Sequence, residues 1–127
     1  MELSELEAAI RQCWCKETSA DPDSWSEDNP SWGQCVVTAL IVNDYLGGKL
    51  VWAEANCGEK KWSHYFNLLG GVEHDLTREQ FPEGTVVPQG VDKTKGFPTT
   101  REYVLSFEQT VRRYELLRDR VEETLTE

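Results

Sequence analysis

The apolar positions at the start of the chain follow a helical period. Leu3, Leu6, Ile10, Cys13 and Trp14 recur at helical spacing, which predicts an amphipathic helix over about residues 4–17. Ser4-Glu5-Leu6-Glu7 reads as its capping box, with Leu3 and Ala8 placed as a hydrophobic staple. The opposite face carries Glu5, Glu7, Arg11 and Gln12 and is expected to be wet. From Thr18 to Pro30 the periodicity stops, broken by two prolines and a density of Ser, Asp and Asn. Trp25 and Trp32 stand out in so polar a stretch. Large aromatics there predict a loop that packs back on the domain or lines a cleft.

Cys35 to Leu46 is apolar nearly all round, the pattern of a buried central helix, and Gly47-Gly48 supplies its stop. Leu50 to Ala55, Lys61 to Leu69 and Val72 to Thr77 then read as strands. Residues 56–60 form the first turn and Gly70-Gly71 a tight two-residue hairpin turn. Residues 79–100 are proline- and glycine-rich and predict a long loop, strand-like only at Thr85-Val86-Val87. Tyr103-Val104-Leu105 reads as a short extended segment. Ser106-Phe107-Glu108-Gln109 is a second capping-box match opening a helix of about 107–125. Its buried face is Val111, Tyr114, Leu117, Val121 and Leu125, and Arg112, Arg113, Arg118 and Arg120 read as solvated. The expected fold is α+β in one domain over 1–127: an N-terminal helix, a central buried helix opened by Cys35, a small antiparallel sheet and a C-terminal helix.

Composition narrows the class. Apolar content of 39%, with five Trp, four Tyr and four Phe, is that of a globule with a core. Net charge is −10, and residues 1–31 contribute most of it, eight acids against two bases. Such a balance argues against nucleic acid as a partner. No apolar run is long enough to span a bilayer, and the acidic start Met1-Glu2-Leu3-Ser4-Glu5 points to a cytoplasmic protein. Cys13, Cys15, Cys35 and Cys57 are then expected reduced. Cys13-Trp14-Cys15 lacks zinc-ligand spacing, and Cys13 falls on the apolar face of its helix as a core residue.

The candidate chemistry starts at Cys35. A helix N-terminus offers unpaired N–H groups and a partial positive charge, both of which favour a thiolate. With Gly70-Gly71 as a two-residue turn, Leu69 opposes Val72, Asn67 opposes His74 and Phe66 opposes Asp75. Trp62, His64 and Phe66 then share a face with Asp75, while His74 lies on the other. His64 and Asp75 become diagonal neighbours, about 7–8 Å apart by backbone and within side-chain reach. Cys35 is thus the candidate nucleophile, His64 its proton carrier and Asp75 the group that orients the imidazole. The Cys35 backbone N–H, with the amide of Asn29 or Gln34, is the expected oxyanion donor set. Trp25, Trp32 and Trp62 are candidate cleft walls.

The order Cys, His, Asp, with the cysteine opening a helix and the others on a following sheet, resembles the papain-like and transglutaminase-like superfamily. Asn29 stands six residues before Cys35, where papain-type enzymes place an oxyanion glutamine, and Gly33-Gln34-Cys35 is similar to their Gly-x-Cys. Asn for Gln, Val36 after the cysteine and the short interval from His64 to Asp75 depart from that pattern. A broader resemblance, over most of the chain, is to the YunG-like family of small bacterial proteins. It is carried by Ser26 to Leu40, Ser63-His64-Tyr65-Phe66-Asn67, Asp75 to Phe81, Tyr103 to Phe107 and Arg112 to Leu117. The YunG-like resemblance implies no particular activity.

The leading expectation is a cysteine hydrolase or acyl transferase acting on an amide, peptide or thioester, without cofactor or metal. Its partner is a small-molecule or peptide substrate. The alternative is a non-catalytic module binding a small ligand or protein on the same scaffold. A third reading, a metal site from Cys35, His64 and Asp75 or His74, ranks last. Taken singly, each residue also has a plain structural role. Cys35 can be a small helix-start residue, His64 a packed strand residue, Asp75 a partner of Arg78 and Asn29 a turn former.

Overall fold

The computed structural model describes residues 1–127. Helix α1 (Leu3–Cys13) is followed by a 3-10 turn over Lys16–Thr18 and a run of turns, and then by α2 (Cys35–Leu46). Strands β1 (Lys49–Cys57), β2 (Lys60–Leu69) and β3 (Val72–His74) form an antiparallel sheet in the order β1-β2-β3. A further 3-10 turn (Arg78–Gln80), a long loop, the short helix α3 (Thr100–Val104) and α4 (Glu108–Leu125) complete the chain.

The all-apolar pattern of residues 35–46 is answered by a helix whose Val37 to Val42 are all buried. α2 packs against β2 and α4, and its apolar side chains join Leu6, Ile10, Leu117 and Val121 in the main core. Full burial of one such side chain stabilises by about 1.5–3 kcal/mol, so this helix is held by packing on all sides. The chain stops at Gly47 (φ 78°) and Gly48 (φ 67°), whose added Cβ would meet the Leu68 carbonyl oxygen at 2.2 Å. Glycine is required there on both counts.

The sheet follows the expected register, with Asn67 opposite His74, Leu68 opposite Glu73 and Leu69 opposite Val72 across Gly70-Gly71. The third strand is shorter than its pattern predicts, however. It ends at His74, not Thr77, because Asp75 turns away to reach a side chain of β2. One sheet face, with Leu50, Trp52, Tyr65 and Asn67, meets the helices, and Asn67 Nδ2 donates to the Ala39 carbonyl at 2.9 Å. The other face carries Val51, Ala53, His64 and Phe66. The 79–99 loop covers part of it, through Val87 and a close approach of Gly90 to Val51 and Phe66. That loop also pairs with β1 at Val86 and Val91.

Three local expectations are corrected. α1 begins at Leu3 with no side-chain cap from Ser4, and ends at Cys13, where Trp14 leaves the helix to donate its indole N–H to Thr38. Residues 103–105 are not extended: Thr99 caps the N-terminus of α3 by accepting from the Glu102 N–H, and Thr100 and Val104, four apart, are buried together. Ser106 does not cap α4 but donates to the Tyr103 carbonyl at the end of α3. No helix is long and apolar enough to cross a membrane.

Candidate active site

Cys35 is the first residue of α2, and its position follows from two buried anchors in the preceding loop. Gln34 is fully buried. Its Nε2 donates to the Cys15 carbonyl at 2.9 Å and its Oε1 accepts from the Thr18 hydroxyl at 2.8 Å. Gly33 donates to Gln80 Oε1 at 3.1 Å and its carbonyl accepts from Ala20 N–H at 2.9 Å. A Cβ at Gly33 would meet Ser19 Oγ at 2.3 Å, and its φ of 74° is left-handed. The loop is therefore stapled on both sides of the cysteine's approach. No side chain caps the helix, so its first N–H groups remain available.

His64 is fully buried on β2. Its Nε2 lies 2.7 Å from Asp75 Oδ2, and the other carboxylate oxygen accepts from the Thr77 N–H at 3.4 Å. Nδ1 makes no hydrogen bond, although it is buried. Burial alone would push the imidazole toward the neutral form. The bond to Asp75, reinforced by Cys35 close by, overrides this and holds His64 up at about 9. With Nε2 committed to Asp75, Nδ1 is the nitrogen left for Cys35. The ring is clamped by Phe66, stacked at 5.5 Å, and by Phe81, edge-on at 4.8 Å.

These groups meet at the edge of β2 because β3 is short. β3 pairs only with Asn67 to Leu69, so the edge of β2 at Trp62 to Phe66 has no strand neighbour on that side. A cavity of about 140 Å³ opens there, lined by Cys35, Trp32, Trp62, Ser63, Gln80 and Phe81 among others. Trp62 stacks on Phe81 at 5.1 Å and meets the edge of Trp32 at 6.4 Å. The other four indole N–H groups are satisfied: Trp14 by Thr38, Trp25 by the Pro30 carbonyl, Trp32 by Asp21 and Trp52 by Ser63. Trp62, which lines the cavity, makes no such bond through Nε1.

The structure brings together Cys35, His64 and Asp75, with Trp32 and Trp62 as walls, and it separates the remaining candidates from them. Trp25 does not line the cavity; its indole closes its own turn at Pro30. Asn29 donates its amide to the Gln80 carbonyl at 3.0 Å, and Gln34 is spent on Cys15 and Thr18. Neither amide is free to meet an oxyanion, because each already donates to a backbone carbonyl. No group of three or more His, Cys, Asp and Glu side chains is placed to hold a metal ion.

Three contributors have weak sequence signals. Gln80 ends, and Phe81 caps, a three-residue 3-10 turn too short to show a period. Arg113 belongs to the charged face by composition, yet it stands three residues after buried Thr110 and four before buried Leu117. That places it at the border of the buried stripe, where it is half-buried and near enough to sense charge at Cys35. Tyr65 is a fourth neighbour. Burial above all, with Tyr103 and Cys35 adding, pushes its phenol up to about 12, so it stays protonated.

The model of the YunG protein family matches residues 2–126 of the chain. The uncharacterised protein YunG of Bacillus subtilis (strain 168) is 34% identical over 79 residues, which are 62% of this chain and 63% of the relative. The chain therefore aligns with less than two thirds of that relative's length. No solved structure matches.

Proposed function

The chain belongs to the YunG family, and we propose that it is a cysteine-dependent hydrolase or acyl transferase acting on an amide, peptide or thioester. The observation that carries this reading is a buried histidine with one nitrogen held by a carboxylate and the other unpartnered beside a cysteine at a helix N-terminus. A structural histidine with 0% exposure would be expected to have both nitrogens satisfied. The papain-like and transglutaminase-like pattern of Cys, His and Asp is part of the same proposal.

In this mechanism the Cys35 proton resides on His64 Nδ1, and the thiolate attacks the substrate carbonyl carbon, forming a C–S bond. The developing oxyanion is met by the Cys35 backbone N–H and, from the cavity wall, by Trp62 Nε1. His64 returns the proton to the leaving nitrogen, oxygen or sulfur as its bond to carbon breaks. Water, or an acceptor in a transferase, then gives its proton to His64 and displaces Cys35 from the thioester. Asp75 holds the ring in register throughout and stabilises the imidazolium.

The test is the rate of iodoacetamide alkylation at Cys35 as a function of pH, read by mass spectrometry. At pH 6 an ordinary thiol is only about 0.3% ionised. Cys35 in the folded chain is expected to react about tenfold or more faster there than in the urea-unfolded chain, and His64→Ala to remove the difference. Equal rates would sink the ion-pair mechanism. A folded protein with an unreactive Cys35 would leave the aromatic cleft as a non-catalytic ligand site.

A further inference from the structure

We propose that the acyl substrate of this site carries a carboxylate, held by Arg113 and Lys16 in a second cavity that adjoins the one at Cys35. The existence of an anion site stands on its own; that it serves a substrate rests on the reading above.

A cavity of about 400 Å³ lies between α4 and the turns after α1, lined by Lys16, Glu17, Ala20 and Arg113 among others. Ala20 also lines the Cys35 cavity, so the two cavities share a wall residue. Three cations border the larger one, Lys16, Arg112 and Arg113, in a chain whose net charge is −10. Arg112 is tied to Glu108 at 2.5 Å, and Glu17 is the one carboxylate on the lining. Three cations against those two carboxylates leave one positive charge uncompensated, which matches a monoanion.

Arg113 is the group that identifies the site. It forms no ion pair, its Nε is buried without a partner, and its one side-chain bond is a long 3.4 Å contact to the Thr110 hydroxyl. A half-buried guanidinium without a counter-charge is costly unless something supplies one. A carboxylate at the Nη groups fits: it offers acceptor oxygens in the plane of the guanidinium and replaces the missing charge, while Nε stays closed to the cavity. Arg113 also lies close enough to Cys35 for a thiolate there to raise its titration against the lowering effect of burial. A substrate anchored on Arg113 would reach past Ala20, which lines both cavities, to present its carbonyl to the sulfur.

The probe pair is N-iodoacetyl-β-alanine and its carboxamide, which deliver nearly the same alkyl group with and without a carboxylate on a short arm. The ratio of their rates at Cys35 cancels any change in thiolate population. In the folded chain that ratio is expected to exceed the value in the urea-unfolded chain by about tenfold. Arg113→Gln should bring it back toward the unfolded value, and Lys16→Gln, at an exposed position, should lower it part of the way. In the unaltered protein, succinate at constant ionic strength should slow iodoacetamide alkylation of Cys35 where succinamide does not. A folded-chain ratio equal to the unfolded one, or no protection by succinate, overturns the proposal. Because the ratio is independent of absolute rate, a Cys35 that reacts no faster with iodoacetamide than in the urea-unfolded chain, yet shows a raised ratio, would refute the catalytic reading alone.

Discussion

His64 Nε2 and Asp75 Oδ2 are 2.7 Å apart, although Asp75 lies one residue past the last rung of the hairpin that presents it. The ladder ends at Asn67 and His74, and the next residue leaves the sheet plane to place its carboxylate against the imidazole. That departure orients His64, and it also shortens β3 and opens the edge of β2 at the Cys35 cavity. One residue thus sets both the charge partner and the opening.

Asp75→Asn keeps a polar side chain of the same size but removes the charge. The imidazole should then titrate well below its value of about 9, since burial is no longer outweighed by a carboxylate. Histidine NMR resonances followed against pH measure this directly. A stability loss of about 1–3 kcal/mol at neutral pH should accompany it, and alkylation of Cys35 should slow. An unchanged titration in the variant would show that Asp75 is not what holds His64 up.

Stability should depend on pH in a defined direction. The His64 titration is raised by folding, from about 6.5 in an unfolded chain to about 9. Protonation therefore favours the folded state. This contribution is fully present below about pH 6.5 and is lost as pH rises through about 9. The urea midpoint should fall across that window, and Asp75→Asn or Cys35→Ser should flatten the fall. A midpoint that climbs from pH 6.5 to 9 would contradict the assignment.

Gln34 has a structural task, and its removal should show it. Gln34→Ala strips two buried hydrogen bonds and leaves a cavity in their place, although Thr18 and Cys15 keep their bonds to each other. A loss of about 2–4 kcal/mol is expected from denaturant unfolding. At a temperature where the variant stays folded, its Cys35 alkylation should match that of the unaltered chain. Selective loss of reactivity with full stability would return Gln34 to the oxyanion site.

The hairpin turn is a test of register. Gly70 and Gly71 both have positive φ, at 56° and 83°, and make the two-residue connection that puts Asp75 on the face of His64. Inserting one glycine between them should slip β3 by a residue and turn Asp75 to the helix-facing side. The variant should keep its far-ultraviolet circular dichroism, lose the raised His64 titration and lose the fast alkylation of Cys35. Retention of all three would show that tertiary packing, not the turn, places Asp75.

Much of this arrangement is legible from pattern alone, for physical reasons that differ by element. Residues 35–46 are apolar on every side, so whatever they form must be buried, and Gly47-Gly48 marks its end. The Gly70-Gly71 turn admits a single alternation of faces, which is enough to pair His64 with Asp75 and set His74 aside. Residues 103–105 misled because a three-residue apolar run has no period. The helix there is decided by the Thr99 cap and the burial of Thr100 with Val104.

Side-chain commitments are a different matter. Asn29, Gln34 and Trp25 have the right chemistry for a site, but each is satisfied by a backbone group or side chain distant in sequence or across its own turn. Phe81 carries only a weak signal, yet packing brings it to the wall of the Cys35 cavity. Sequence spacing specifies which residues share a strand or helix face, because backbone geometry has a fixed period. Which polar group is left without a partner depends on every neighbour that folding brings within hydrogen-bond reach, and only the tertiary structure decides that.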